Sequence, residues 1–146
     1  MKDVDIKKNI ESFVKYVESL EKFGTVGIVT WGNYETSRYN NLKKKYNLCE
    51  LKIIDLCGLL KKNNIFDKSL SLSLKKIIPM LNDKYPESFP NIYKDLVILD
   101  GNFANLEIYD YYKTCDESIK DDIEKYNKID CLVMLDIVNW LKSEME

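Results

Sequence analysis

Between two segments of helical periodicity the chain runs Thr25-Val26-Gly27-Ile28-Val29-Thr30-Trp31, a short, β-branched and mostly apolar stretch with no polar alternation. No other part of the sequence constrains the fold as much. A strand that lacks a polar face needs cover on both sides, which is the situation of parallel strands in α/β sheets. The flanking patterns agree. From Ile6 onward Ile10, Phe13, Val14, Val17 and Leu20 recur at helical spacing, and Gly24 is placed to end that helix. Gly32-Asn33 breaks the strand, Glu35 to Tyr46 carries Tyr39, Leu42 and Tyr46 three and four residues apart, and Leu51 to Leu56 is a second strand candidate. Strand, helix, strand in that order predicts a βαβ unit with a right-handed crossover.

The second half reads as mainly helical. Ser73 is placed to cap a helix with Leu74, Ile77, Ile78 and Leu81 on one face, and Pro79 inside it is expected to kink or shorten it. Tyr85 to Asn91, with Pro86 and Pro90, reads as a loop. Asn102 is placed to cap a helix carrying Ala104, Ile108 and Tyr112. Asp116 is placed to cap a long final segment running through Ile119, Ile123, Tyr126, Val133, Ile137 and Leu141. At 146 residues with 45% hydrophobic content, the expectation is one domain over residues 1–146.

Composition narrows the chemistry. There is no histidine, which excludes a Ser-His-Asp triad, a Cys-His pair and every histidine-containing zinc site. The charge is nearly balanced, 22 basic residues against 24 acidic, and Arg38 is the only arginine, so a polyanion would have to meet a local patch built from lysine. Cys49, Cys57, Cys115 and Cys131 form no C-x-x-C and are expected to be buried free thiols. The absence of a leader or a membrane-length apolar run predicts a soluble, cytoplasmic chain with no membrane partner. The run Tyr109-Asp110-Tyr111-Tyr112 offers aromatic rings at helical spacing, which are more often core than a stacking platform for bases; core is the expectation.

Tyr126 and Asp130 stand four apart in a helical pattern, so a phenol and a carboxylate project from one face, one turn apart. Taken alone, such a pair is commonly a packed tyrosine beside a solvated aspartate. The text around it is more particular. Ile123-Glu124-Lys125-Tyr126-Asn127-Lys128-Ile129-Asp130-Cys131, followed by Met134-Leu135-Asp136-Ile137, resembles the Tyr-x-x-x-Asp segment of DEDDy-type 3′ to 5′ exonucleases. Ser73-Leu74-Lys75-Lys76-Ile77-Ile78-Pro79, Tyr93-Lys94-Asp95-Leu96 with Asp100-Gly101-Asn102-Phe103-Ala104, and Trp31-Gly32-Asn33-Tyr34-Glu35 are similar, in order, to segments of the bacterial family called domain of unknown function 2779. That family is related to the RecB-associated ribonuclease H-like nucleases.

The resemblance implies an incomplete ribonuclease H-like fold and a metal-dependent nuclease. Glu35 and Asp130 would hold Mg2+ or Mn2+, Tyr126 would position or help deprotonate the attacking water, and Lys75 or Lys76 would touch a substrate phosphate of DNA or RNA. Glu35 would lie just past the carboxyl end of a parallel strand, where open α/β sheets place ligands. Asp55, at the end of the second strand, is read as structural.

The family pattern opens with Asp-x-Glu on a first strand, which has no counterpart upstream of the first helix here. Asp3 and Asp5 read as charges favourable to the helix N-terminus. The strand Thr25 to Trp31 would then lack a neighbour, an edge that a homodimer or a partner chain would cover. Three function classes remain open on these residues. One is a DEDDy-type 3′ to 5′ exonuclease using two divalent metals; the second is a catalytically degenerate nucleic-acid-binding or protein-interaction module that keeps the fold; the third is a structural piece of a larger assembly docked through the bare strand edge.

Overall fold

The computed structural model describes residues 3–66, 73–94, 96–98 and 101–145. The element order is α1 (Asp3–Leu20), a 3-10 turn (Glu21–Phe23), β1 (Ile28–Thr30), α2 (Tyr34–Tyr46), β2 (Ile53–Asp55), α3 (Leu56–Lys62), α4 (Leu74–Lys84), α5 (Gly101–Thr114) and α6 (Glu117–Ser143). The result is an α/β chain dominated by helix, and its contacts separate into two compact units, Met1–Leu70 and Ser71–Glu146.

In the first unit, α1 buries Val14 and Val17 against Tyr39 of α2 and Leu51, with Ile10, Val26, Ile28, Leu48 and Ile53 packed around them. Burying side chains of this size contributes roughly 1.5–3 kcal/mol each. Tyr39 also places its hydroxyl on the Cys49 carbonyl at 2.8 Å, fixing the end of α2 to the chain that leads into β2. Burial first, and then the neighbouring Cys49, push the Tyr39 phenol up to about 12. Asn47, in the left-handed region at φ 53°, ends α2 by donating its N–H to the Lys43 carbonyl.

The parallel pairing expected from the apolar run is present: β1 lies beside β2 in the register Ile28↔Ile53, Val29↔Ile54 and Thr30↔Asp55. Both strands are shorter than the sequence pattern predicts. At the carboxyl end of the pair the cause lies in Asp55. Its side chain accepts the Gly58 N–H at 2.9 Å and opens α3 at Leu56, so the second strand stops and the first has nothing further to pair with. The full cover expected for the strand is also reduced, since Ile28 and Val29 are only partly buried and Thr30 alone is fully so. Among the described residues the sheet has these two strands, and each keeps an edge.

The second unit is helical. α4 and α5 both pack on α6. Leu74, Ile77, Ile78 and Leu81 form the buried face of α4, as the spacing predicts. Pro79 neither ends nor shortens that helix, which continues to Lys84 with the proline ring exposed. Ser73 occupies the cap position but its hydroxyl makes no capping bond; its carbonyl instead accepts the Lys76 and Ile77 N–H groups. Asp116 does cap α6, accepting from the Ser118 N–H at 2.9 Å and the Ser118 hydroxyl at 2.7 Å. These bonds hold its carboxyl below the usual carboxylate range.

Three further expectations are corrected here. Asn102 lies inside the first turn of α5, not before it, because the helix already begins at Gly101. Tyr109 and Tyr112 are 60% and 55% exposed, since α5 turns Ala104, Ile108 and Tyr111 inward and carries these two rings on the other side. Of the four thiols only Cys57, on the buried side of α3, is in a core; Cys49, Cys115 and Cys131 are exposed.

Candidate functional site

The two residues at the centre of the sequence reading sit on neighbouring turns of α6, where helical geometry puts both on one side. Tyr126 is buried and belongs to the core cluster of Ile98 and Ala104, with Leu96 and Ile123 against it. Lys75 and Tyr93 lie beside it. Lys75, from the first turn of α4, holds its ammonium 4.6 Å from the centre of the Tyr126 ring and 5.4 Å from that of Tyr93. Tyr93, from the segment after α4, donates its hydroxyl to Asp130 Oδ1 at 2.6 Å. The cation meets the negative faces of two rings, an arrangement worth about 0.5–2 kcal/mol for each ring.

Electrostatics fix the direction of the short bond. Burial, and after it the hydrogen bond and charge of Asp130, raise the Tyr93 phenol far above its ordinary value, so it remains the donor and the carboxylate the acceptor. The Asp130 carboxylate is therefore tied to a hydroxyl supplied 37 residues away in the chain.

Among the described residues, these side chains supply fewer oxygen ligands than a divalent ion takes. Magnesium and manganese take about six hard oxygen ligands. Among the described residues, Asp130 has one oxygen accepting the Tyr93 hydroxyl hydrogen bond, and the Lys75 ammonium lies against the Tyr93 and Tyr126 rings. Among the described residues, no group of three or more histidine, cysteine, aspartate or glutamate side chains comes together.

The remaining sequence candidates fall as follows. Lys75 joins Tyr126 and Asp130 in one cluster, whereas Lys76 is exposed on α4. Glu35 belongs to the first unit, exposed in the first turn of α2, where a negative charge is favoured by the helix dipole. Asp55 has the structural role read for it. Its Oδ1 accepts both the Gly32 N–H and the Gly58 N–H at 2.9 Å, joining the turn after β1 to the start of α3. Both glycines are required there. Gly32 sits at φ +92°, and a Cβ on Gly58 would come within 2.6 Å of Asp55 Oδ2.

Sequence reasoning did not single out Tyr93, Asn91 or Asp136 as parts of a polar site. Asp136 is 8% exposed and accepts from Asn91 through the amide Nδ2 at 2.9 and 3.1 Å and the backbone N at 3.3 Å. Asn91 and Tyr93 lie in an irregular segment with no periodicity to reveal its partners. For Asp136 a signal existed: it falls four residues after Leu132 and one before Ile137, in the apolar register of α6, and a carboxylate there needs a donor. No family model, no curated protein and no solved structure matches the chain.

Proposed function

We propose that this chain works by binding a partner protein and does not cut phosphodiesters. The observation that carries this reading is the Tyr93 hydroxyl on Asp130 at 2.6 Å, beneath a lysine that spans both Tyr93 and Tyr126. The tyrosine and aspartate that the family resemblance assigns to a metal site are used here to hold α4, the following segment and α6 to one another. A protein partner is favoured over a nucleic acid by charge. Met1–Leu70 carries thirteen basic and nine acidic residues, net +4, whereas Ser71–Glu146 carries nine basic and fifteen acidic, net −6, and would repel a polyanion. Exposed Leu106, Tyr109 and Tyr112 on α5 add the apolar and aromatic surface that protein interfaces select. A ribonuclease H-like ancestry is part of the same proposal, supported by the β1-α2-β2 order with parallel strands.

The catalytic reading keeps one observation in its favour, the same-face placement of Tyr126 and Asp130 on α6. One experiment separates the two. End-labelled single-stranded DNA and RNA are incubated with the purified chain, in Mn2+ and in Mg2+, beside the Asp130→Asn variant. The binding reading predicts intact strands with both proteins and no retention of labelled strand at physiological salt. Degradation that Asp130→Asn abolishes would overturn it in favour of the exonuclease. Retention without cleavage would replace the protein partner with a nucleic acid.

A further inference from the structure

A second polar feature of the helical unit lies apart from Asp130. The segment after α4 and the last turns of α6 enclose a cleft of about 270 Å³, lined by Glu87, Ser88, Asp136, Asn139 and Trp140 among others. Among the described residues, both titratable groups in its wall, Glu87 and Asp136, are acids, and no lysine or arginine lines it. Asp136 is the unusual one. It is 8% exposed, and its hydrogen bonds come from Asn91, a neutral amide and a backbone N–H; among the described residues no ion pair reaches it. Asn91 offsets part of the cost of burying a carboxylate there, and a cation would offset more.

The rest of the wall suits a cation as well. Trp140 is held against Tyr85 and Phe89, with ring centres 5.7 Å away in each case. Its indole N–H is buried and has no hydrogen-bond partner among the described residues. An aromatic ring beside carboxylates is a setting in which organic cations are bound. The cleft also lies at the C-terminal end of the 27-residue α6, where the helix dipole is negative. The volume is generous for a single ion and leaves room for a whole lysine or arginine side chain, and two carboxylates are too few oxygens for a hard metal.

We propose that this cleft binds an ammonium or guanidinium group, with Asp136 as the buried counter-charge, Glu87 at the mouth and Trp140 as the aromatic wall. The group is supplied either by a small free amine or by a lysine or arginine side chain of a partner. This inference does not depend on the reading of Asp130: a cleft for cations is compatible with either outcome of the nuclease assay.

The test is calorimetric titration of the full chain with four probes: butylamine, an N-acetyl-lysine amide, an N-acetyl-arginine amide and the uncharged N-acetyl-norleucine amide. The charged probes are expected to bind in the millimolar range or tighter, and the norleucine compound at least about tenfold more weakly. Asp136→Asn should abolish binding of the charged probes, while Asp130→Asn should leave it intact. Should Asp136→Asn fail to fold, Glu87→Gln, an exposed change, is expected to weaken binding about threefold or more, the effect of removing a partly screened charge. Tighter binding of the lysine and arginine amides than of butylamine assigns the site to a partner's side chain; equal affinity assigns it to a small amine. Equal binding of norleucine amide, no binding of any amine, or charged-probe affinities unchanged by either Asp136→Asn or Glu87→Gln would overturn the proposal.

Discussion

Asp55 in the first unit and Asp130 in the second are both acids at the end or on the face of an element where a nuclease-like reading looks for metal ligands, and the chain uses them differently. Asp55 accepts two backbone N–H groups, from Gly32 and Gly58, and so fixes where β1 turns and where α3 starts. Asp130 accepts a side-chain hydroxyl from Tyr93, within a cluster that Lys75 completes. The first is a local device whose partners are set by backbone geometry. The second is a tertiary one, dependent on packing between α4, the segment after it and α6. A carboxylate committed to backbone donors is hard to replace, whereas one held by another side chain is lost in steps as each partner is removed.

The largest expected effect is therefore at Asp55. Asp55→Ala leaves the Gly32 and Gly58 N–H groups without their acceptor and removes the cap of α3, a loss of about 2–4 kcal/mol in chemical denaturation of the purified chain. A loss under about 0.5 kcal/mol would mean that water replaces the carboxylate and that the contrast with Asp130 is false. Next is Gly58→Ala. A Cβ at 2.6 Å from Asp55 Oδ2 forces the carboxylate aside, with an expected cost of about 1–3 kcal/mol. In an Asp55→Ala background that cost should largely vanish, because the clash is with the side chain already removed.

Tyr93→Phe follows, with an expected loss of about 1–2 kcal/mol from the bond to Asp130. Lys75→Met keeps the length of the chain but removes the charge over both rings, and about 1 kcal/mol should go with it. Neither change should alter the melting of a fragment or probe that reports on Met1–Leu70 if the two units hold their cores separately.

The smallest effect is at high pH. Tyr39 and Tyr93 both have folded-state phenols raised above the ordinary 10.0. The folded chain thus holds protons that the unfolded chain releases near pH 10. The stabilisation is complete below that value and is lost as pH rises through the folded pKa, which for Tyr39 means between about 10 and about 12. Ultraviolet titration should show Tyr39 and Tyr93 ionising late, the second of these lags disappearing in Tyr93→Phe.

The contrast between the two acids also explains what could be read from the sequence. The helices α1, α2, α4 and α6 announce themselves through apolar periodicity, and Asp116 through its place before a long periodic run, because all of that information is local. The parallel strands were legible as apolar runs, but their length was not, since the capping role of Asp55 ends β2 where the apolar residues alone would continue it to Leu56. The exposure of Tyr109 and Tyr112 depends on which side of α5 meets α6, and an aromatic-rich helix with weak amphipathicity does not declare that. Tyr93 belongs to a segment that carries the family resemblance, but nothing in it signals a partner: it lies in irregular chain, and only the folded arrangement brings its hydroxyl to Asp130.

A double-mutant cycle between Tyr93→Phe and Asp130→Ala, read by equilibrium denaturation with and without Mn2+, tests the central claim most directly. If Asp130 is a structural acceptor for Tyr93, the two changes couple by about 1 kcal/mol or more, and Mn2+ leaves every member of the cycle unaltered. Coupling near zero, together with a Mn2+-dependent stabilisation of the parent chain that Asp130→Ala removes, would contradict it and return Asp130 to the role of a metal ligand.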